Sequence, residues 1–123
     1  MAQEKRDNSL LDRLTQFATD VLALADGLPD TQAAKHLAAC LIESSMQPAF
    51  AYVDAQQSKS REAFIGGLRQ CLIELQNTLV PIYVLEKSRL LRSNMLTALF
   101  EEADHLTAIF IKSITTAEKN NRQ

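Results

Sequence analysis

Residues 9–29 read SLLDRLTQFATDVLALADGLP, and this stretch decides the fold class. Ser9 can cap the start of a helix, and Gly27 followed by Pro29 is a typical helix end. Between these signals, apolar residues recur alternately four and three positions apart, which is the spacing of one face of an α-helix; they are Leu10, Leu14, Phe17, Val21 and Leu24. The segment therefore predicts an amphipathic helix over residues 9–26.

Three further segments show the same periodicity and predict helices over about 31–56, 60–86 and 93–117. The candidate N-caps of these helices are Asp30 or Thr31, Ser58 or Ser60, and Ser93. The chain has only three glycines and three prolines, which suits long helices joined by short loops better than a fold with many strands and turns. We therefore predict one all-α domain over 1–123, folded as an antiparallel up-down-up-down four-helix bundle.

Pro48 and Pro81 fall inside the second and third predicted helices. A proline inside a helix removes one backbone hydrogen bond and kinks the helix, at a cost of about 3 kcal/mol. Because no Gly, Asn or Asp turn signal flanks Pro48, we expect the second helix to bend there rather than divide. The third helix can continue past Pro81 toward Glu86.

The overall composition is that of an ordinary globular protein. Apolar residues make up 46% and charged residues 23% of the 123 residues, and the formal net charge is −2. A nucleic-acid-binding domain normally has a basic excess, which this chain lacks. The most apolar short run, Leu79 to Leu85, is too brief to span a bilayer, and the polar N-terminus does not resemble a signal peptide. Cys40 and Cys71 form no CxxC motif and are interpreted as reduced core residues, so we expect a cytoplasmic protein.

The second predicted helix carries unusually little charge. Between residues 31 and 57 its formal charges are Lys35, Glu43 and Asp54 alone, whereas a helix with one buried face normally has a charged opposite face. A second buried face is predicted, and since four helices already close one core, we expect that face to contact another copy of the chain. The predicted interface residues are Ile42, Met46, Phe50 and Val53, together with Gly66 and Gly67, small residues that suit a close helix approach. The alternative is that this helix is the most buried helix of a monomer.

Two pairs of residues have spacings that can in principle carry chemistry. Glu102 and His105 have the Glu-x-x-His spacing of di-iron bundles, but such sites need two of these motifs, and Ala33 stands three residues before the other histidine, His36. His36 and Cys40 lie four residues apart and could pair, but nucleophilic catalysis also needs an oxyanion site and an orienting group. The sequence therefore predicts no catalytic residue, no metal ligand and no cofactor, and the protein is interpreted as not an enzyme.

Basic residues form one small cluster at the connection between the third and fourth predicted helices. The cluster consists of Lys87, Arg89 and Arg92, while Lys59 and Arg61 lie at the opposite end of the bundle. The simplest interpretation is that Lys87 and Arg89 complement the negative end of a helix. In an oligomer, copies of the cluster would be presented together and could attract the phosphates of structured RNA.

The chain resembles a known family. The run Ser58-Lys-Ser-Arg-Glu-Ala-Phe64, followed by Leu68 and by Cys71-Leu-Ile-Glu-Leu-Gln-Asn-Thr-Leu79, is similar to the proteins encoded in intervening sequences of bacterial 23S ribosomal RNA genes, also called S23 ribosomal proteins. Four positions match the family's Gly-Ser-Leu-x-Glu-Leu-x-x-x-Leu segment, with Gln70 and Cys71 in place of Gly-Ser; they are Leu72, Glu74, Leu75 and Leu79. The likeness extends over most of residues 10–115 and includes the last helix, Glu101 to Ser113.

The resemblance implies a four-helix bundle and a homo-oligomer, with a pentamer favoured. A related branch, the accessory proteins of diversity-generating retroelements, binds a reverse transcriptase and RNA through a basic surface. The second helix of this chain departs from the family pattern: His36-Leu-Ala-Ala39 replaces an Arg-Arg-Ala-Ala segment, and only Ala51 remains of an Asn-Ile-Ala-Glu-Gly motif. The leading hypothesis is a non-enzymatic, self-assembling scaffold or adaptor, and the alternative is an RNA-associated accessory protein.

Overall fold

The computed structural model describes residues 9–91 and 93–121, and every regular element in these ranges is a helix. The helices are α1 (Ser9–Asp26), α2 (Gln32–Ser45), α3 (Gln47–Gln56), α4 (Arg61–Ser88) and α5 (Asn94–Asn121). α2 and α3 both pack on α1 and α4, so together they occupy one of the four positions of a bundle. The predicted all-α class is confirmed.

Contacts between α4 and α5 show that these helices are antiparallel. Tyr83 near the end of α4 stacks on Phe100 near the start of α5, with ring centroids 4.9 Å apart. At the other end of the same pair, Arg69 of α4 forms an ion pair with Glu118 of α5. α1 packs on α2 and α5, and α4 packs on α2, α3 and α5. This order is consistent with the predicted up-down-up-down bundle.

The core contains the apolar stripes that the spacing predicted. Large side chains from α1, α2, α4 and α5 are almost completely buried there; among them are Leu14, Phe17, Val21, Leu41, Leu68, Leu75, Leu106 and Phe110. Phe110 also meets the ring of Tyr52 on α3 edge-on, with centroids 6.2 Å apart. Burial of each such side chain contributes about 1.5–3 kcal/mol, so these stripes supply most of the driving force for folding.

The helix ends follow the cap residues. Thr31 Oγ1 accepts a hydrogen bond from the Ala34 N–H at 3.1 Å, and Ser60 Oγ accepts one from the Ala63 N–H at 3.0 Å. α4 continues through Pro81 to Ser88, and Arg89 ends it in the left-handed conformation with φ 59°. α5 begins at Asn94 and extends to Asn121, beyond the predicted end at residue 117.

The second predicted helix divides, contrary to the bend expected at Pro48. α2 ends at Ser45 and α3 begins at Gln47, with Met46 between them. Pro48 has no N–H to donate to the Ser44 carbonyl, which interrupts the helical hydrogen-bond ladder. The Met46 N–H donates to this carbonyl instead. The buried Thr78 hydroxyl of α4 lies 3.0 Å from the same carbonyl and 2.9 Å from the Glu74 carbonyl of its own helix, so its one hydrogen is shared between the two acceptors. A side chain of a neighbouring helix therefore helps to satisfy the Ser44 carbonyl at the break.

Thr78→Val is expected to lower the free energy of unfolding by about 1–2 kcal/mol, because it removes a buried donor to the Ser44 carbonyl. In a Pro48→Ala background the same change should cost less, since alanine at this position restores the missing N–H. Urea unfolding of the four proteins of this double-mutant cycle measures the difference. Equal costs in both backgrounds would show that Thr78 does not compensate for the proline.

Candidate self-association surface

Three large apolar side chains lie exposed along α2 and α3. Ile42, Met46 and Phe50 are 44%, 41% and 57% exposed and follow one another at intervals of four residues. Val53 continues the row and is half-buried. We call this row the α2/α3 face. Ile42, Met46 and Phe50 therefore do not lie in the interior of the single chain, as the alternative of a most buried helix would require, while the contact of this row with a second copy stays a prediction.

The two adjacent glycines have different surroundings. A Cβ atom added at Gly67 would lie 2.5 Å from the Ala55 Cβ and 2.9 Å from the Ala55 Cα, whereas one added at Gly66 would meet nothing within 4 Å. The close helix approach at Gly67 is therefore between α4 and α3 of the same chain. Gly66 is exposed, so of the two glycines it is the one open to a contact between copies.

A second apolar surface was missed by the sequence interpretation. Four side chains of α4 and one of α5 are between 44% and 58% exposed; they are Ile73, Val80, Tyr83, Val84 and Ile111. We call them the α4/α5 face. Three of them belong to the apolar run Leu79–Leu85, which was considered only as a membrane segment. In a helix, Val80 and Val84 point to a different side from Leu79, Ile82 and Leu85, which are buried. This spacing is the signal by which the sequence indicates a second apolar surface on α4.

The α4/α5 face contains an open groove of about 580 Å³ between the two helices. Leu72 and Ile73 of α4 and Ile111 and Ile114 of α5 line its apolar part, and Arg69, Gln76, Asn77 and Thr115 complete it. Most of this lining is hydrocarbon, with no concentration of charge. The groove is therefore suited to an apolar side chain.

The residues considered for metal binding take other roles. Arg13 of α1 donates two hydrogen bonds to the Glu102 carboxylate of α5, at 2.8 and 3.0 Å. The pKa of Arg13 is raised, mainly because its guanidinium is hydrogen-bonded to Glu102. His105 is exposed, with its Nδ1 atom 4.0 Å from Glu102 Oε1. Across residues 9–91 and 93–121 no three His, Cys, Asp or Glu side chains are grouped so as to hold a metal ion.

The two cysteines differ in environment, and one interpretation needs correction. Cys71 is fully buried as predicted, and desolvation raises the pKa of its thiol to about 12. Cys40 is only half-buried, because it lies on the side of α2 that borders a surface hollow with Glu43, Glu74 and Asn77. Its Sγ atom lies 3.7 Å from His36 Nε2. The interpretation of Cys40 as a core residue is therefore wrong.

The predicted basic cluster lies at the end of α4. Lys87 is in the last turn, Arg89 is the left-handed residue that follows the helix, and both side chains are exposed. Arg92 lies outside the described residues. Lys59 and Arg61 are exposed at the start of α4, at the opposite end of this helix.

None of the helices in the described part of the chain combines the length and the hydropathy that a bilayer-spanning segment needs.

A scan against models of protein families and a search of curated proteins found no match to the sequence. Among solved structures, the fold is similar to that of a protein of unknown function from the S23 ribosomal protein family of Bacteroides thetaiotaomicron. The two chains are 19% identical, the TM-score is 0.76, and the likeness covers 85% of this chain and 97% of the other. The fold implied by the resemblance is therefore confirmed.

Proposed function

We propose that the protein is a non-enzymatic scaffold or adaptor that assembles with copies of itself through the α2/α3 face. The observation that carries the proposal is the exposure of Ile42, Met46 and Phe50 in one row. Soluble monomers seldom expose contiguous apolar surface, because water disfavours it by about 25 cal/mol per Å². A second copy that covers this row gains that free energy. The resemblance to S23 ribosomal proteins favours five copies.

The mass of the purified protein in solution tests the proposal. Light scattering coupled to size-exclusion chromatography, with a reductant present, should give a whole multiple of the chain mass of 13.7 kDa at micromolar concentration. The mass should not fall at high salt, since burial of apolar surface does not depend on attraction between charges. A monomer at micromolar concentration would contradict the proposal.

The second candidate function is RNA binding by the assembled protein, favoured by the exposure of Lys87 and Arg89 at one end of the bundle. This candidate function predicts that a structured RNA binds the protein. The affinity should fall steeply between about 50 and 200 mM salt, because binding releases counterions from the RNA phosphates and added salt opposes that release. Lys87→Gln/Arg89→Gln should weaken this binding, whereas Lys59→Gln/Arg61→Gln at the other end should not. Absent or salt-insensitive binding in a fluorescence anisotropy titration would remove this candidate.

A further inference from the structure

The α2/α3 face is too small to hold an assembly by itself. A large aromatic side chain buries about 150–250 Å², and Ile42 and Met46 are smaller than Phe50. Three side chains that are about half exposed therefore offer at most on the order of 300 Å². A stable interface takes about 800 Å² from each partner. Further surface must therefore take part.

The α4/α5 face supplies comparable apolar area on another side of the molecule. Its five large side chains are each about half exposed, with Val80 at 58% the most open. A contact that joined two α2/α3 faces would leave this surface in water, at the cost that makes large exposed apolar patches rare. An assembly that covers both faces with one kind of contact must join unlike faces.

The shapes of the two faces match as a projection and a groove. Phe50 is the most exposed side chain of the α2/α3 face and stands at the edge of α3 beside Gln70 and Glu74 of α4. The α4/α5 groove, of about 580 Å³, has room for an aromatic ring against Ile73 and Ile111. α4 separates the two features, so Phe50 cannot reach the groove of its own chain.

We propose that the α4/α5 groove of one copy receives the Phe50 edge of the next copy. This inference rests on the proposed self-assembly and specifies the surface that it uses. Such a contact is heterologous, because each chain contributes a different face to each of its two neighbours. One chain then has one donor face and one acceptor face, and both are needed for an assembly larger than two copies.

Mixing two complementary variants tests the inference. Ile42→Glu/Phe50→Glu disables the α2/α3 face, and Ile73→Glu/Ile111→Glu disables the α4/α5 face. Each variant alone should be a folded monomer, because each lacks one half of every contact, with association weakened about 100-fold or more. An equimolar mixture should form a dimer of twice the chain mass, since the intact groove of the first variant meets the intact Phe50 of the second. Thr116→Glu, an exposed position of α5 outside the groove, is the matched control and should keep the wild-type mass.

The outcomes separate this inference from the proposed function. If the wild type is an oligomer and Ile73→Glu/Ile111→Glu retains its full mass, the groove is not an interface between copies and the inference fails while self-assembly stands. If either variant alone forms a dimer, its intact face joins the like face of another copy and the inference fails. If both variants are monomers but the mixture contains no dimer, the two intact faces do not bind each other and the inference also fails. If the wild type is a monomer, both proposals fail. The milder pair Ile73→Gln/Ile111→Gln repeats the measurement should the glutamates unfold the chain, and circular dichroism monitors helix content throughout.

Discussion

Ile42→Glu/Phe50→Glu will convert the proposed assembly into folded monomers, with association weakened about 100-fold or more. Both side chains are about half exposed in the single chain, so they still have apolar surface to bury against a neighbour. Their replacement removes this gain and places two carboxylates where water would be excluded, which costs several kcal/mol unless they find partners. Light scattering or sedimentation velocity across a dilution series measures the change.

The matched control for this variant is Ala33→Glu. Ala33 is exposed in the first turn of α2, away from the α2/α3 face, where an added carboxylate suits the positive end of the helix. The control should keep the wild-type mass, and all three proteins should have the same helix content. An Ile42→Glu/Phe50→Glu protein with the wild-type mass would exclude this face from the interface.

Gly67→Ala will lower the free energy of unfolding by about 1–2 kcal/mol. Its Cβ atom would lie within 3.0 Å of both the Cα and the Cβ of Ala55, and such overpacking costs about 1–3 kcal/mol. The better helix propensity of alanine returns up to about 1 kcal/mol of this cost. Urea unfolding in the monomeric Ile42→Glu/Phe50→Glu background gives the value without a contribution from assembly.

The same substitution at Gly66 should have the opposite sign. Apart from the local backbone of its own helix, no atom lies within 4 Å of the added Cβ there, so only the helix propensity changes and stability rises by up to about 1 kcal/mol. Adjacent glycines of one helix thus form a matched pair. Equal effects at the two positions would be incompatible with a close approach between α3 and α4 at Gly67.

The fold could be predicted from the sequence because its core stripes are regular. Leu14, Phe17 and Val21 repeat at helical spacing, and the buried face of α1 coincides with that repeat. The division at Met46 could not be derived in this way. The position of Pro48 shows which backbone carbonyl loses its donor. It does not show that the hydroxyl of Thr78, more than thirty positions away in the sequence, lies within hydrogen-bond distance of that carbonyl.

The candidate surface could be predicted only in part. Low charge in residues 31–57 was enough to expect exposed apolar residues on α2 and α3, because a missing polar face is visible in one helix alone. The α4/α5 face was missed because α4 has apolar residues on two sides. The spacing of apolar residues shows that both sides exist but not which of them packs against the other helices of the chain. Gly67 was assigned to an interface for the related reason that a small residue indicates a close approach without naming the partner.

The burial of Cys71 makes the protein sensitive to alkali. In the folded chain the pKa of this thiol is about 12, whereas the ordinary pKa of a cysteine is 9.0. Between these two values an unfolded chain releases the proton and a folded chain does not, so rising pH favours the unfolded state. The contribution of this neutral thiol to the free energy of unfolding is fully present below about pH 9 and is lost as the pH rises toward about 12. One buried sulfur atom of the core therefore gives the bundle a stability that depends on pH in basic solution.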